Sequence, residues 1–270
     1  MAKKLGKKKP SLSLEDRIKD VSEVQTGDTV LIHGRSGTGK TTLACSFPKP
    51  LLLLDIMDQG TDSVSDVKGV KVLEVTHFDD LDAVYWFLRE NEGFKTVVLD
   101  TVTQLQDLAI QKVKEMRGVD PEAPMSKQMW GETSGLMKKV VYNFRDLARE
   151  HGINVVFIAQ PRTIVEETYD EEGQIDPEVG PAVQPAVAKA LGAAVKFIIY
   201  TYIREVVKQK KGKLKRKMEY RARLGPHPYY LTKVRSPKTS KVPDSIKSCT
   251  YEDLMKVKRG EWAGSGEEEE

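Results

Sequence analysis

Cysteine and histidine are scarce in this sequence, which has two cysteines and four histidines among 270 residues. Cys45 and Cys249 are far apart and lack the spacing of metal ligands, so we expect neither a disulfide framework nor a structural zinc site. The longest apolar runs, such as VVFIA and FIIY, are much shorter than the roughly 20 residues needed to cross a bilayer. The basic N-terminal segment lacks the apolar stretch of a signal peptide. These absences predict a cytoplasmic protein with no membrane partner.

The charges are unevenly distributed, although the formal net charge is only +3. The first ten residues include five lysines, and a second basic block runs from Lys208 to Arg223. The segment Glu166–Glu178 is acidic. Basic segments favour a polyanionic partner, although a solvated surface is the simpler interpretation of a charge run alone. We predict a flexible basic arm at residues 1–20, one core at 21–260 and an acidic tail at 261–270.

Short apolar runs alternate with amphipathic segments over the first 160 residues. We predict strands at 29–34, 51–56, 70–75, 96–100 and 153–160, helices at 41–47, 78–91, 103–116 and 135–150, and a loop at 117–133. This alternation predicts an α/β fold with a central, mostly parallel sheet flanked by helices. The later residues predict a hairpin turning at Glu172–Gly173, a helix near 186–191, strands at 196–207, 218–224 and 229–235, and a helix at 250–260. We therefore expect antiparallel strands to extend the sheet in the C-terminal half.

The segment GRSGTGKT fits the pattern G-x-x-x-x-G-K-[ST] and lies between a predicted strand and a predicted helix. In this pattern backbone amides turn inward onto phosphate oxygens, the lysine reaches the β- and γ-phosphates, and the hydroxyl binds Mg²⁺. The sequence therefore predicts a nucleotide site, and ATP is favoured because no guanine-reading motif is visible. The predicted phosphate-binding residues are Gly34, Arg35, Ser36, Gly37, Thr38, Gly39, Lys40, Thr41 and Thr42.

Carboxylates follow two of the predicted strands. Asp100 ends the apolar strand TVVLD, where it would hold Mg²⁺ together with Thr41, although it could instead cap the next helix. Asp55 and Asp58 follow the strand LLLL, and either could orient the attacking water. The residues alone leave the choice between these two open.

The segments GRSGTGKTT, LLLLDIMDQG, TVVLD, VVFIAQ and YYLTKVRSP together resemble the RecA/RadA-type ATPase core. Within that group the chain is similar to the small, core-only RecA-like ATPases that phages encode for single-strand annealing and recombination. The resemblance covers about residues 29–235. It implies a RecA-like P-loop fold, Mg²⁺-dependent and DNA-stimulated ATP hydrolysis, and action on single-stranded DNA, in the bacterial host cytoplasm if the chain is phage-encoded. The family has a catalytic glutamate where this chain has Met57, so Asp58 is the expected substitute and hydrolysis is expected to be slow.

The resemblance also implies roles for three late residues. Gln160, which ends VVFIAQ, matches the strand that senses the γ-phosphate, although a glutamine there could simply satisfy backbone groups. Lys233 and Arg235 match a K-x-R pair that reaches the nucleotide of a neighbouring subunit. The simpler interpretation is two exposed cations on an edge strand. The trans role implies self-association into a ring or filament with ATP at subunit interfaces.

DNA contacts are expected from two loops and from the basic block. The loop after TVVLD contains Lys127 and Trp130, whereas the loop after Gln160 is dominated by acidic residues. The basic block contributes Lys210, Lys211, Lys213, Lys215 and Arg216. A single-strand-binding protein is a further expected partner. Two alternatives remain: a DnaB-like helicase motor, against which the lack of an N-terminal assembly domain argues, and an ATP-switched assembly or regulatory protein that does not bind DNA.

Overall fold

The structure is a computed structural model that describes residues 18, 20, 26–57, 60–91, 93–163, 179–210 and 213–263. The strands are β1 Thr29–Gly34, β2 Leu51–Ile56, β3 Val70–Val75, β4 Thr96–Asp100, β5 Asn154–Ala159, β6 Pro161–Thr163, β7 Val179–Pro181, β8 Phe197–Lys210, β9 Lys213–Arg223, β10 Lys233–Val234 and β11 Ser245–Lys247. The helices are α1 Lys40–Ala44, α2 Asp80–Glu90, α3 Val102–Arg117, α4 Lys127–His151, α5 Pro185–Ala194 and α6 Tyr251–Arg259, with a 3₁₀ turn at Gly60–Val64.

Nine of these strands form one mixed sheet in the order β11-β9-β8-β1-β5-β4-β2-β3, with β10 pairing to β8. The six strands from β8 to β3 in this order are mutually parallel. Strands β9, β10 and β11 are antiparallel to their neighbours. The predicted α/β class is confirmed, and so is the antiparallel extension, which begins at β9 because β8 continues the parallel sheet.

Helices cover both faces of the sheet, which explains why its central strands are apolar at nearly every position. In β1, Leu31 packs in a core with α2, α3, α4 and α5, whereas Val30 and Ile32 pack on the opposite face with α1 and α6. All three side chains are fully buried. The parallel strands therefore present their carboxyl ends, the usual ligand-binding edge of such a sheet, as one rigid platform.

Helix α4 is longer than the sequence predicts. It begins at Lys127 instead of near residue 135, so the predicted loop at 117–133 is wrong in its second half. The Ser126 side chain accepts a hydrogen bond from Met129 N and starts the helix, and Met129 and Thr133 are buried on the face that Met137 continues. Burial of this face outweighs the low helix propensity of Gly131 and Gly135. Within the described residues, no helix combines the length and apolar character needed to span a membrane.

The predicted strand at 229–235 is also wrong, because only Lys233–Val234 pair with β8. The residues before them are engaged elsewhere: Val179 N donates to Tyr229 O at 2.8 Å, and Leu231 N donates to Val179 O at 2.9 Å. The predicted turn at Glu172–Gly173 lies outside the described residues.

Candidate nucleotide-binding site

The glycine loop leaves the end of β1 and surrounds a cavity at the carboxyl edge of the sheet. A Cβ at Gly34 would lie 2.4 Å from the carbonyl oxygen of Thr201 on β8, so only glycine permits this close strand contact. Gly37 and Gly39 have φ values of 76° and 86°, in the left-handed region that glycine adopts at little cost. The close contact between β1 and β8 and the left-handed backbone of Gly37 and Gly39 together set the curvature of the loop.

Lys40 lies folded against this loop. Its Nζ donates to the carbonyl oxygen of Arg35 at 3.0 Å, and the side chain is only 9% exposed. Thr38 Oγ1 donates to the same carbonyl at 2.7 Å. The side chains of Thr38 and Lys40 therefore share one acceptor, Arg35 O. This contact holds the lysine ammonium group beside the backbone that would surround a phosphate.

Thr41 and Asp100 meet beneath the loop. Thr41 Oγ1 donates to Asp100 Oδ2 at 2.7 Å, and Asp100 is 5% exposed at the end of β4. A hydroxyl and a carboxylate oxygen are hard donors of the kind that Mg²⁺ prefers, so this pair fits the ion. When bound, Mg²⁺ would neutralise charge on the β- and γ-phosphates. The structure thus brings together two residues that the sequence predicts as metal ligands.

The cavity in front of the loop has a volume of about 730 Å³. Residues Ser36 to Leu43 line one side of it, and six residues that sequence reasoning missed line the far end: Tyr220, Arg221, Ala222, Ser248, Cys249 and Thr250. The Tyr220 ring approaches the loop most closely, 3.7 Å from an ideal Cβ position at Gly39. This end of the cavity is where a base and ribose would extend from the phosphates.

Strand pairing assembles this far end. Strand β11 pairs antiparallel with β9, and Ser248 N donates to Tyr220 O at 2.9 Å. Thr250 then starts α6 through a reciprocal capping box with Asp253. The sequence TYED signals that helix start, but nothing local signals its position beside the phosphate loop. Burial raises the pKa of the Cys249 thiol, with Asp253 as a second cause, so this cysteine stays protonated at neutral pH.

The catalytic carboxylate is not decided by the geometry, because Asp58 lies outside the described residues. Asp55 is the register partner of Asp100 on the adjacent strand. Asp62, in the 3₁₀ turn, lines the cavity and is a third acidic candidate that sequence reasoning missed. Met57, where the resembling family has its glutamate, is 55% exposed and has a φ of 58°.

Gln160 lies at the end of β5, half-buried. Its backbone N donates to Thr103 Oγ1 at 3.0 Å, and its carbonyl accepts from Ala182 N at 2.7 Å. Because these neighbours satisfy the Gln160 backbone, its amide side chain is not needed for that purpose. A sensor role for the side chain stays a prediction.

Lys233 and Arg235 bind the C-terminal end of α5. Lys233 Nζ donates to the carbonyl oxygens of Gly192 and Val195, and Arg235 Nη2 donates to that of Ala193 at 3.2 Å. Strand alternation puts both cations on one side, as the sequence predicts, and both offset the negative end of the helix dipole.

These two cations are remote from the phosphate loop of their own chain. Lys233 pairs with Ile198, which is level with Leu31, three residues before Gly34. At about 3.3 Å per residue this places Lys233 about 10 Å down the sheet from the loop, and Arg235 is farther still. Any role at a nucleotide would therefore be at a neighbouring subunit's site.

The predicted DNA contacts separate into different surfaces. Lys127 and Trp130 are exposed on the first turn of α4 rather than in a loop. Arg216 lies 3.5 Å from Glu205 in an ion pair. Lys210, Lys213 and Lys215 occupy paired positions in β8 and β9, whereas Lys211 and the acidic loop after residue 163 lie outside the described residues.

Comparison with known protein families identifies the family of this chain. A family model described as an AAA domain covers residues 26–236, from just before β1 to just after β10. No curated protein matches the chain. The matched span includes the glycine loop, Asp100 and both strands of the β8–β9 hairpin.

Proposed function

The chain belongs to the AAA domain family of P-loop NTPases, and on that premise we propose that it is a Mg²⁺-dependent ATPase acting on single-stranded DNA in recombination or annealing. One observation supports the Mg²⁺-dependent binding of a nucleotide: Thr41 Oγ1 and Asp100 Oδ2 are 2.7 Å apart beneath the glycine loop. In P-loop NTPases a hydroxyl and a carboxylate so placed hold Mg²⁺ on the β- and γ-phosphates.

In this proposal each side chain has a separate task. Lys40 binds the β- and γ-phosphates, and the loop amides surround them. Asp58 orients the attacking water, with Asp55 or Asp62 as the alternatives. Gln160 contacts the γ-phosphate and relays its presence to the segment that follows β5. An aspartate is one methylene shorter than the glutamate of the resembling family, which supports slow turnover.

The far end of the cavity has room for the nucleoside part of a nucleotide. A cavity of about 730 Å³ is within the usual range for a small-molecule site. Tyr220 offers a ring beside the phosphate loop, and Ser248 offers a hydroxyl group in the lining of the same cavity.

Single-stranded DNA is supported by the resemblance and by the basic β8–β9 hairpin. The alternatives make different predictions. A helicase-type motor would unwind duplex DNA in an ATP-dependent way, whereas an ATP-switched assembly protein would bind no DNA even at low salt. Exposed cations alone do not distinguish these functions.

Self-association is supported by an apolar surface that is continuous with the nucleotide cavity. We define the apolar hairpin face as the exposed residues Ile203, Val207, Leu214, Met218 and Tyr220, all 43–68% exposed. Tyr220 also lines the cavity, so a second copy seated on this face would lie next to the nucleotide. The opposite edge of the sheet has its own exposed apolar residues on β3 and α2, namely Val72, Leu73, Trp86 and Phe87. Two different surfaces of this kind fit a head-to-tail ring or filament.

Sedimentation velocity tests this assembly. Replacing Val207 and Met218 by serine should shift the protein towards monomer, whereas Met116→Ser, which changes a more exposed methionine at the end of α3, should not. A monomeric unchanged protein under all nucleotide conditions would count against self-association.

Nucleotide calorimetry tests the central proposal. Lys40→Ala should abolish tight Mg·ATP binding, because the buried ammonium group supplies charge to the phosphates. Lys139→Ala is the matched control, since that lysine is exposed and pairs with Asp82 on the protein surface. Wild-type ATP affinity in Lys40→Ala would show that the nucleotide binds elsewhere.

A further inference from the structure

A second cavity, of about 420 Å³, lies on the other side of the phosphate loop. It shares Ser36, Thr38 and Thr201 with the nucleotide cavity, and the 2.8 Å hydrogen bond between the Thr38 and Thr201 hydroxyls is part of the common wall. Its other lining residues are Arg35, Tyr200, Tyr202, Ile203, Arg223 and Tyr230.

Three tyrosine rings in this cavity are nearly parallel. The Tyr200 and Tyr230 ring centroids are 4.1 Å apart with 14° between the ring planes. Tyr202 continues the series, with its centroid 6.1 Å from that of Tyr200 and 13° between the planes. Because these rings stack on one another, a planar aromatic ligand can extend the stack only from the outer face of an end ring, such as Tyr202.

Two guanidinium groups accompany the rings. The Arg223 Cζ lies 5.4 Å from the Tyr202 centroid, and its buried Nε has no hydrogen-bond partner among the described residues. Arg35 is exposed on the phosphate loop. Neither arginine forms an ion pair with a described carboxylate. A buried donor without a partner in the described part of the chain, in the same cavity as a second cation that pairs with no described carboxylate, indicates a site for an anion.

The register of the β8–β9 hairpin connects this cavity to the basic block. Tyr200 pairs with Arg223 and Tyr202 with Arg221, so these residues share one face of the two strands. The same face continues through the pairs Arg204–Glu219 and Val206–Lys217, and the backbone register of the hairpin extends beyond them to residue 213. Glu219, the one acid in this set, is buried and neutralised by Arg221 and Lys247. The other face holds the apolar hairpin residues.

We propose that the second cavity binds one nucleotide unit of a single-stranded nucleic acid, whose next phosphates follow the hairpin past Arg204 and Lys217. The base stacks on the tyrosine rings, and Arg223 and Arg35 bind the phosphate. This inference deepens the proposed action on single-stranded DNA and rests on it. It adds a reason for DNA stimulation: the occupied cavity and the phosphate loop share the Thr38–Thr201 wall, so the strand contacts the loop that holds ATP.

Binding of labelled oligothymidylate tests the inference, with the nucleotide cavity filled by saturating Mg·ADP. Tyr202→Ala should weaken oligonucleotide binding about tenfold, and Tyr202→Phe should restore most of it, since base stacking on an aromatic ring needs no hydroxyl. Arg223→Gln should reduce the salt slope of binding by about 0.7, the value for one phosphate contact on a single strand. The matched control changes Tyr142 and Arg145, an exposed ring–guanidinium pair 4.9 Å apart on α4, and should bind normally.

Photocrosslinking of the unchanged protein gives an answer that does not depend on any variant folding. An oligonucleotide carrying 5-iodouracil should crosslink to peptides containing Tyr200, Tyr202 or Tyr230. Crosslinks only to other peptides, or wild-type oligonucleotide affinity in folded Tyr202→Ala and Arg223→Gln, would overturn the inference alone. If thymidine monophosphate binds with the same affinity as oligothymidylate, the cavity binds a free nucleotide, and the proposed binding of a strand is overturned. No oligonucleotide binding by the unchanged protein would overturn both this inference and the proposed DNA substrate, while ADP titration tests the ATPase separately.

Discussion

Asp55 and Asp100 are register partners on the adjacent parallel strands β2 and β4, so two carboxylates lie side by side at the edge of the sheet that holds the phosphate loop. Thr41, which follows the phosphate loop, donates a hydrogen bond to Asp100 Oδ2 at 2.7 Å. This contact supports the proposed Mg²⁺ role of Asp100, and Asp55, a carboxylate at the same level of the sheet, is a matched control for the predictions below.

Asp100→Asn should lower ATP turnover by on the order of 100-fold or more, because the neutral amide no longer holds the metal ion that stabilises charge on the phosphates. The Mg²⁺ concentration needed for half-maximal nucleotide binding should rise in parallel. A magnesium titration of ATP affinity measures this effect, with Asp55→Asn as the control. Equal magnesium dependence of Asp100→Asn and the unchanged protein would remove Asp100 from the metal site.

Asp58→Asn should lower turnover more than ATP affinity, since a group that positions water acts mainly in the transition state. Asp55→Asn and Asp62→Asn should retain most of the turnover. Steady-state hydrolysis and calorimetric ATP binding on all three variants give the comparison. An inactive Asp62→Asn beside an active Asp58→Asn would transfer the role to the 3₁₀ turn that lines the cavity.

Arg235→Ala should lower turnover with little change in ATP affinity if it serves a neighbouring subunit. A guanidinium at the γ-phosphate contributes about 10³- to 10⁵-fold in the systems where it has been measured. The hydrogen bond from Arg235 to Ala193 O is exposed, so its loss should cost little stability.

Mixing inactive Arg235→Ala with inactive Lys40→Ala decides whether that role is in trans. Mixed oligomers regain some interfaces with an intact lysine on one side and an intact arginine on the other, so partial activity should return. If mixed assembly is demonstrated and no activity returns, Lys233 and Arg235 serve only to stabilise the end of α5.

His33 predicts a pH-dependent part of the stability. Burial lowers the pKa of His33 to about 4; the Leu231 carbonyl raises it and Lys40 lowers it further. In the unfolded state the pKa of His33 is near 6.5, so between pH 6.5 and 4 the unfolded state binds more protons than the folded state. The contribution of neutral His33 to the free energy of unfolding is therefore complete above pH 6.5 and is lost as pH falls towards 4. The loss is about 3 kcal/mol. Denaturant unfolding from pH 7 to 4 should show a flatter pH dependence in His33→Gln; an unchanged profile would mean that His33 is protonated in the folded state.

The sequence by itself determined the parallel part of the fold and the centre of the nucleotide site. The strand TVVLD is buried at all five positions, and the sequence signals it through an apolar run with one terminal carboxylate. The glycine loop after β1 is signalled by the spacing of its glycines. Predictions from local sequence were wrong where contacts between residues remote in sequence outweighed the helix or strand propensity of the segment. Burial of Met129 and Thr133 extends α4 through two glycines, and pairing of Tyr229–Leu231 with Val179 prevents a strand.

Only the tertiary structure decided what surrounds the phosphate loop. Tyr220 and Thr250 are thirty residues apart, and they line one cavity because β11 pairs with β9. The alternation of β8 and β9 is visible in the sequence, but their register is what collects Tyr200, Tyr202 and Arg223 on the face of the basic positions. A register is fixed by the partner strand and by the core beneath it, since a slip of one residue would turn every side chain to the opposite face.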